Sequence, residues 1–370
     1  MTLEYLKKMY PLTTLEANSS LRKKAALAAF FSLFLLVWSC RAPEDALYFE
    51  GEAQATTFHI TVYGDAHVEA IDIQHWLAEY NHVASPWDST SLISALNGPA
   101  IVAPDHPYLC ELLQIGQALY LETEGALDPT LAPVIEAWGF GVGPATILPG
   151  DTLALEALME HVGDTSWFSL AKTCTGQSPA KLALDQGTRI PGREGVRTQL
   201  NFMSFSQGHS VDIVCDSLRA RGATAAFVEI GGEVRTFGVK PDGSAYKVGI
   251  ELPQAGKSSD YAQTVELDAR ALATSGNYRN YKVDPATGAH YGHTLDAKTG
   301  WPIQTEVLSA TMIGPTCAEA DGMATAAMSM GLEKTKQWLA EHPEWDGLLI
   351  YFNGNVGYGH QVWASWDLTE

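Results

Sequence analysis

Asp321 and Thr325 stand four residues apart in Ala320-Asp-Gly-Met-Ala-Thr-Ala327, so on a helix a carboxylate and a hydroxyl share one face. This hard-oxygen pair suits Mg²⁺ better than zinc, and the alanines around it leave room for a bulky ligand. Ser206-Gln-Gly-His-Ser-Val-Asp212 leads into a helical stretch, where a glycine-bearing loop at a helix N-terminus offers free N–H groups to an anion such as phosphate. Glu229-Ile-Gly-Gly-Glu233 puts a double glycine between two strand-like runs, a tight turn or a place where backbone comes close to a ring. In Ala273-Thr-Ser-Gly-Asn-Tyr-Arg279, small hydroxylated residues around Gly276 suit a phosphate or a polar ring edge. His293 and Asp296 follow, three apart, in His293-Thr-Leu-Asp-Ala-Lys-Thr-Gly300. Gly125-Ala-Leu-Asp-Pro-Thr130 is a turn in which Thr130 can cap a helix, and it leads to Ala137-Trp-Gly-Phe-Gly141. Taken singly, each segment also fits a structural role: Asp212 as a helix-dipole partner, the glycines as a bulge, His293 as a satisfied side chain.

The elements that must carry these residues can be read from periodicity. Phe58–Tyr63 alternates as a strand, Val68–His82 has helical spacing, and a serine-rich loop runs into a short helix ending near Asn97. Tyr108–Glu122 is amphipathic, Leu153–Val162 is helical, and residues 172–198 read as short strands with turns. Val211–Arg221 is a helix closed by Gly222. Ala226–Ile230, Val234–Val239, Tyr246–Glu251 and Thr264–Glu266 form a run of antiparallel strands. Helices at Ala318–Met330 and Leu332–Glu341 and strands around Leu348–Phe352 close the chain. Strands in runs with helices segregated between them predict an α+β fold, not a doubly wound sheet.

Hydrophobic residues make up 46% of the 370 and charged residues 18%, a globular composition, and a formal charge of −20 without a basic stripe argues against nucleic-acid binding. The five cysteines show no C-x-x-C pair and no zinc spacing; Cys215 and Cys317 lie in apolar surroundings and are expected as buried thiols, while the pairing of Cys110 and Cys174 stays open. Arg22, Lys23 and Lys24 precede an apolar run, Ala25–Trp38, that is shorter than the roughly 20 residues a membrane span needs. It ends at Ser39-Cys40, which reads as a signal peptide (1–39), a lipidated Cys40 and a tether to residue 47, with one domain over 48–370. That predicts a lipoprotein of the cell envelope, facing the periplasm or exterior, because two or more acyl chains hold a protein stably on a membrane.

In this order and spacing, the segments resemble the ApbE family, the FAD:protein FMN transferases. The similarity runs from about Gly51 to Gly331 through Thr56-Thr57-Phe58, Ser91-Leu-Ile-Ser-Ala-Leu-Asn97, GALDPT with WGFG, SQGHSVD, VEIGGEVRTFG, ATSGNYRNY, HTLDAKTGWP and ADGMATAAMSMG. The resemblance implies a two-lobed α+β fold with mixed or antiparallel sheets and flanking helices. It implies FAD in the cleft between the lobes, Mg²⁺ on the pyrophosphate, and transfer of FMN to a threonine hydroxyl of an acceptor with release of AMP. By motif, Mg²⁺ is held by the Ser206 carbonyl and the Asp321 and Thr325 side chains. Gln207 and Asp212 stand near the phosphates or adenosine. Asn97, Asp128, Thr130, Glu233, Thr274, Ser275 and Gly276 line the cleft, and His293 lies near the reacting phosphate.

A carboxylate with neutral oxygens leaves Mg²⁺ strongly electrophilic, and the acceptor supplies the nucleophile, in agreement with the absence of any G-x-S-x-G element. His293 is the first candidate for a base and Asp212 the second. The acceptors implied are exported domains of respiratory redox pumps or other flavoproteins. Several positions depart from the family pattern: Ser206-Gln207-Gly208-His209 where Ala-Lys-Gly-Tyr is common, bulky Met203 and Phe205 before it, and Ala55 for a glycine. The loss of the lysine removes a cation near the phosphates and keeps two further readings open, an Mg²⁺-dependent FAD pyrophosphatase and a non-catalytic FAD-binding lipoprotein.

Overall fold

In Thr56–Tyr63 every second side chain, Phe58, Ile60 and Val62, is buried, so alternation in the sequence becomes one face of a strand on the core. The computed structural model describes residues 46–98, 106–174, 198–252, 261–277, 281–284, 287–354 and 360–366. The expected signal peptide and Cys40 lie outside the described residues. The strands are β1 (Leu47–Ala53), β2 (Thr56–Tyr63), β3 (Ala225–Ile230), β4 (Glu233–Phe237), β5 (Tyr246–Glu251), β6 (Tyr261–Leu267), β7 (Ala271–Gly276), β8 (Tyr281–Val283), β9 (His290–Gly292), β10 (Val307–Gly314), β11 (Asp346–Phe352) and β12 (His360–Ala364). The helices are α1 (Ala70–Ala84), α2 (Leu92–Asn97), α3 (Pro107–Glu122), α4 (Ala132–Ala137), α5 (Thr152–Met159), α6 (Phe168–Thr173), α7 (Ser206–Ala220) and α8 (Cys317–Glu341).

Among the described residues an antiparallel sheet runs β1-β2-β3-β4-β7-β10-β11-β12, and β5-β6 and β8-β9 are separate hairpins. The α+β expectation holds. β10 is buried along almost its whole length because both its faces are covered. On one face, Val211, Val214, Cys215 and Leu218 of α7 meet Phe58, Ile60 and Val228, and Met323 and Ala324 of α8 share a core with Ala273 and Met312. On the other, Tyr246, Ile250, Val265 and Leu267 of the β5-β6 hairpin pack on Val234, Leu272, Ile313 and Leu348. A smaller core around Trp138, Leu155, Tyr291 and Leu295 forms a second mass of side chains, and the cavity described below opens between it and the sheet.

The structure differs from the sequence reading at three places. α7 starts at Ser206, five residues before the expected Val211, although Ser206, Gly208 and Ser210 are weak helix formers. Tertiary contacts supply what propensity lacks: the Gly208 N–H donates to Asp321 Oδ2 at 3.0 Å, a carboxylate at a helix N-terminus. Of residues 172–198, expected as short strands with turns, the first two end helix α6 at Thr173, and 175–197 lies outside the described residues. The two C-terminal helices of the sequence reading form one element kinked at Gly331, whose φ of 77° only glycine adopts cheaply. Cys110 and Cys174 form a disulfide between α3 and the end of α6, and Cys215 and Cys317 are buried free thiols.

Candidate active site

The site is built where the N-termini of α7 and α8 converge on the sheet. Gly208 is obligatory there, because a Cβ would run into the Cys317 carbonyl and the Asp321 side chain. This close approach carries Asp321 under the first turn of α7. Asp321 is buried, and burial first, then the nearby Asp212 charge, raises its carboxyl to about 7 against the opposing pull of the Gly208 N–H. One turn along α8, Thr325 Oγ1 lies 3.1 Å from Ser275 Oγ and donates to the Ser204 carbonyl at 3.3 Å. Two residues on, the Ser206 carbonyl accepts from Tyr80 Oη at 2.7 Å. The backbone oxygen beside Thr325 is therefore that of Ser204.

These groups sit at one part of a 650 Å³ cavity, a volume within the usual range for small-molecule sites. Asp128, Gln207, Glu233, Thr274, Ser275, Gly276, His293, Asp321 and Thr325 all line it. Glu233 faces the α7–α8 side from β4; burial, and then Asp321, push its carboxyl well above the usual range. Its Oε2 is buried and has no hydrogen-bond partner among the described residues. Gln207 folds beneath the Gly231–Gly232 turn and donates to the Ile230 carbonyl at 3.3 Å. A side chain at Gly231 would collide with it, and the positive φ of both glycines fits the tight turn. His293 lies edge-on to Phe140, with ring centroids 6.3 Å apart.

Four expected residues do not line the cavity; they hold what does. Asn97 exchanges two 2.8 Å hydrogen bonds with the Leu200 backbone and anchors the segment leading to Asn201, Met203 and Ser204. Thr130 donates to Asp128 Oδ1 at 2.6 Å and accepts from the Gly163 N–H, so it orients Asp128 from behind. Asp212 pairs with Arg235 at 2.7 Å and accepts the Cys317 and Ala318 N–H groups, each at 2.9 Å, which docks the start of α8 on α7. Burial still leaves its carboxyl raised, with Arg235 the largest opposing influence. Ser206 is the fourth, turned toward Tyr80.

The described lining contains four carboxyl side chains (Asp128, Glu233, Glu251 and Asp321) and neither Lys nor Arg. Among the described lining residues a phosphate would meet carboxyl groups and no cationic side chain. Among the described residues no three His, Cys, Asp or Glu side chains cluster to hold a metal by themselves. The oxygens on offer are a carboxylate, a hydroxyl and a backbone carbonyl, a set that fits Mg²⁺ and not a soft metal.

The sequence profile of the ApbE family matches residues 55–349. The chain belongs to the ApbE family. It is 30% identical over 315 residues to the FAD:protein FMN transferase of Vibrio cholerae serotype O1, covering 83% of this chain and 88% of that protein. It is 26% identical to the protein of that name from Klebsiella pneumoniae, over 86% of this chain and 87% of the relative. Among solved structures, the flavin transferase ApbE from Vibrio cholerae superposes with a TM-score of 0.67 at 27% identity, covering 87% of this chain and 98% of that one. The apo form of the Pseudomonas stutzeri flavinyl transferase ApbE gives 0.68 at 27%, covering 88% and 96%.

Within this ApbE scaffold, some lining residues escaped sequence reasoning. Ser204 lies two positions before the loop that drew attention, with no motif of its own. Val248, Gly249, Ile250 and Glu251 reach the cavity only because the β5-β6 hairpin folds over the sheet. Thr294, next to His293, had a signal in the same motif; its hydroxyl donates to Asn277 Oδ1 at 2.8 Å and ties the His293 loop to the end of β7.

Proposed function

We propose that this protein is an FAD:protein FMN transferase that uses Mg²⁺ and a threonine hydroxyl of an exported acceptor. The observation that carries the reading is the cavity itself: an ApbE fold in which Asp321, Thr325 and the Ser204 carbonyl converge beside Glu233, with His293 on the same lining. Asp321, Thr325 and the Ser204 carbonyl would hold the metal, which when bound would supply Lewis-acid stabilisation of the pyrophosphate charge. The first turn of α7 and the Gly231–Gly232 turn offer backbone against the phosphates, and Ile135, Phe140, Leu131 and Leu272 give the rings an apolar wall. His293 takes the acceptor hydroxyl proton on an imidazole nitrogen as the oxygen attacks phosphorus of the FMN half. The new O–P bond forms, the P–O bond to AMP breaks, and AMP leaves with the electron pair. Asp128, held by Thr130, and Ser275 serve to orient.

The leader and Cys40 support a membrane-anchored enzyme acting outside the cytoplasm, with subunits of respiratory redox pumps among its acceptors. The deciding experiment incubates the protein with FAD, Mg²⁺ and a threonine-bearing acceptor domain and reads the intact mass of the acceptor. A gain equal to FMN, lost in Asp321→Ala, supports the transferase. Free FMN and AMP without acceptor modification mark a pyrophosphatase. FAD that stays bound and intact with several acceptors marks a binding protein and sinks the proposal.

A further inference from the structure

A second polar cluster lies beneath the first turn of α7, outside the cavity. Tyr80 of α1 is buried, with its hydroxyl 2.7 Å from the Ser206 carbonyl and 3.2 Å from His209 Nδ1. His209 is buried as well, and its Nε2 lies 3.0 Å from Oε2 of Glu111, a half-exposed residue of α3. A row of contacts thus runs from a solvent-reaching carboxylate to the backbone that delivers Ser204 and Gln207 to the cavity.

Counting protons along the row shows what it requires. The Ser206 carbonyl and an ionised Glu111 are pure acceptors, so three contacts need three protons. Burial, then Asp321, Asp212 and Glu111, hold the Tyr80 hydroxyl protonated, and it supplies one. A neutral imidazole supplies a second and leaves one contact with lone pair facing lone pair. The imidazolium supplies two and closes the row: Nε2–H to Glu111, Nδ1–H to Tyr80, and Tyr80 O–H to Ser206. The groups facing His209 are Tyr80 from α1, Glu111 and the edge-on Tyr108 from α3, and Asp212 on α7 itself. The His106–Glu79 pair stands farther out, with His106 against Tyr108.

We propose that Tyr80 and His209 are positioning residues for this site, fixing the Ser204–Gln207 turn so that the Ser204 carbonyl is held against Thr325, with Glu111 as the outer anchor. The proposal rests on reading the cavity as the FAD and Mg²⁺ site. His209 touches neither ligand; it acts through Tyr80 and the backbone, and the closed row is the tight-binding form.

The test measures FAD binding by flavin fluorescence with Mg²⁺ present in the full-length protein and three variants. Tyr80→Phe deletes one hydroxyl from the row and is expected to weaken binding about fivefold, given that a hydrogen bond contributes about 1 kcal/mol net. His209→Gln behaves similarly. Glu111→Gln lets an amide N–H donate to a neutral imidazole, so the row closes without the extra proton. Its binding is expected to stay within about threefold of the parent protein, because the number of hydrogen bonds in the row is kept. Binding by Tyr80→Phe equal to that of the parent, or binding by Glu111→Gln as weak as that of Tyr80→Phe, overturns the proposal. A ligand-free readout separates this outcome from failure of the site reading. Amide hydrogen exchange across Ser204–Gln207 in the FAD-free protein is expected to speed up in Tyr80→Phe and to stay near the parent rate in Glu111→Gln, and unchanged exchange in Tyr80→Phe overturns the row even if no form binds FAD.

Discussion

Asp321 meets the chain that buries it through one N–H of α7, and this leaves its carboxyl easier to protonate when folded than when unfolded. The sign follows from the direction of the shift. A raised acid contributes stability that is full below its unfolded midpoint, near 3.8, and is gone once pH has risen through about 7. The metal-free protein should therefore lose thermal stability as pH rises over this window, and Asp321→Asn should flatten the loss. Added Mg²⁺ should raise the unfolding midpoint more above the window than inside it. Differential scanning fluorimetry checks all three, and a parent protein equally stable across the window contradicts the account. For transfer, Asp321→Asn should cost at least about 100-fold, since it removes the charged ligand from a charge-stabilising site. Glu233 differs, because burial, and then Asp321, raise its carboxyl well above the usual range. Glu233→Gln should bind FAD within about threefold of the parent, whereas Glu233→Ala should lose about 1–3 kcal/mol of binding by removing a buried polar contact; a titration of FAD fluorescence distinguishes them.

At the scale of elements, the site depends on how closely α7 and α8 approach. Gly208→Ala would gain up to about 1 kcal/mol of helix propensity but drive a methyl into the Cys317 carbonyl. We expect the clash to win, with a net loss of about 1–3 kcal/mol from overpacking and weaker FAD binding as Asp321 is displaced. Urea unfolding measures the first, and a variant as stable as the parent would show that the helices have room to separate. The Cys110–Cys174 disulfide closes a loop of 64 residues and fastens α6 to α3, the helix that carries Glu111. Replacing both cysteines with serine should lower stability by about 2–4 kcal/mol. A thermal midpoint that does not respond to a reductant would count against it.

At the scale of the molecule, the charge of −20 makes the chain acidic, and we propose that its N-terminal apolar run and Cys40 anchor it at a membrane. No helix among the described residues is long and apolar enough to cross one. Cys40→Ser in the full chain should abolish acyl modification, read by intact mass, and shift the protein out of the membrane fraction. Unchanged mass and fractionation would point to a different anchor.

The sequence by itself determined much at this scale and the element scale. Alternation in FHITVY and the helical period of Tyr108–Glu122 are local properties of the chain, so β2 and α3 were legible from it. The Asp321–Thr325 pair was legible for the same reason, since four residues on a helix is a fixed geometry. Only the tertiary structure decided which backbone oxygen stands beside that pair, because Ser204 reaches Thr325 across 121 residues of chain. It also decided that Asp212, Thr130 and Asn97 lie behind the lining, and that α7 begins at Ser206. Each outcome depends on which side of a helix or turn meets a distant partner, and periodicity gives the face without naming what it faces. The Tyr80–His209–Glu111 row is the extreme case, three residues from three helices whose relation exists only once the helices have packed.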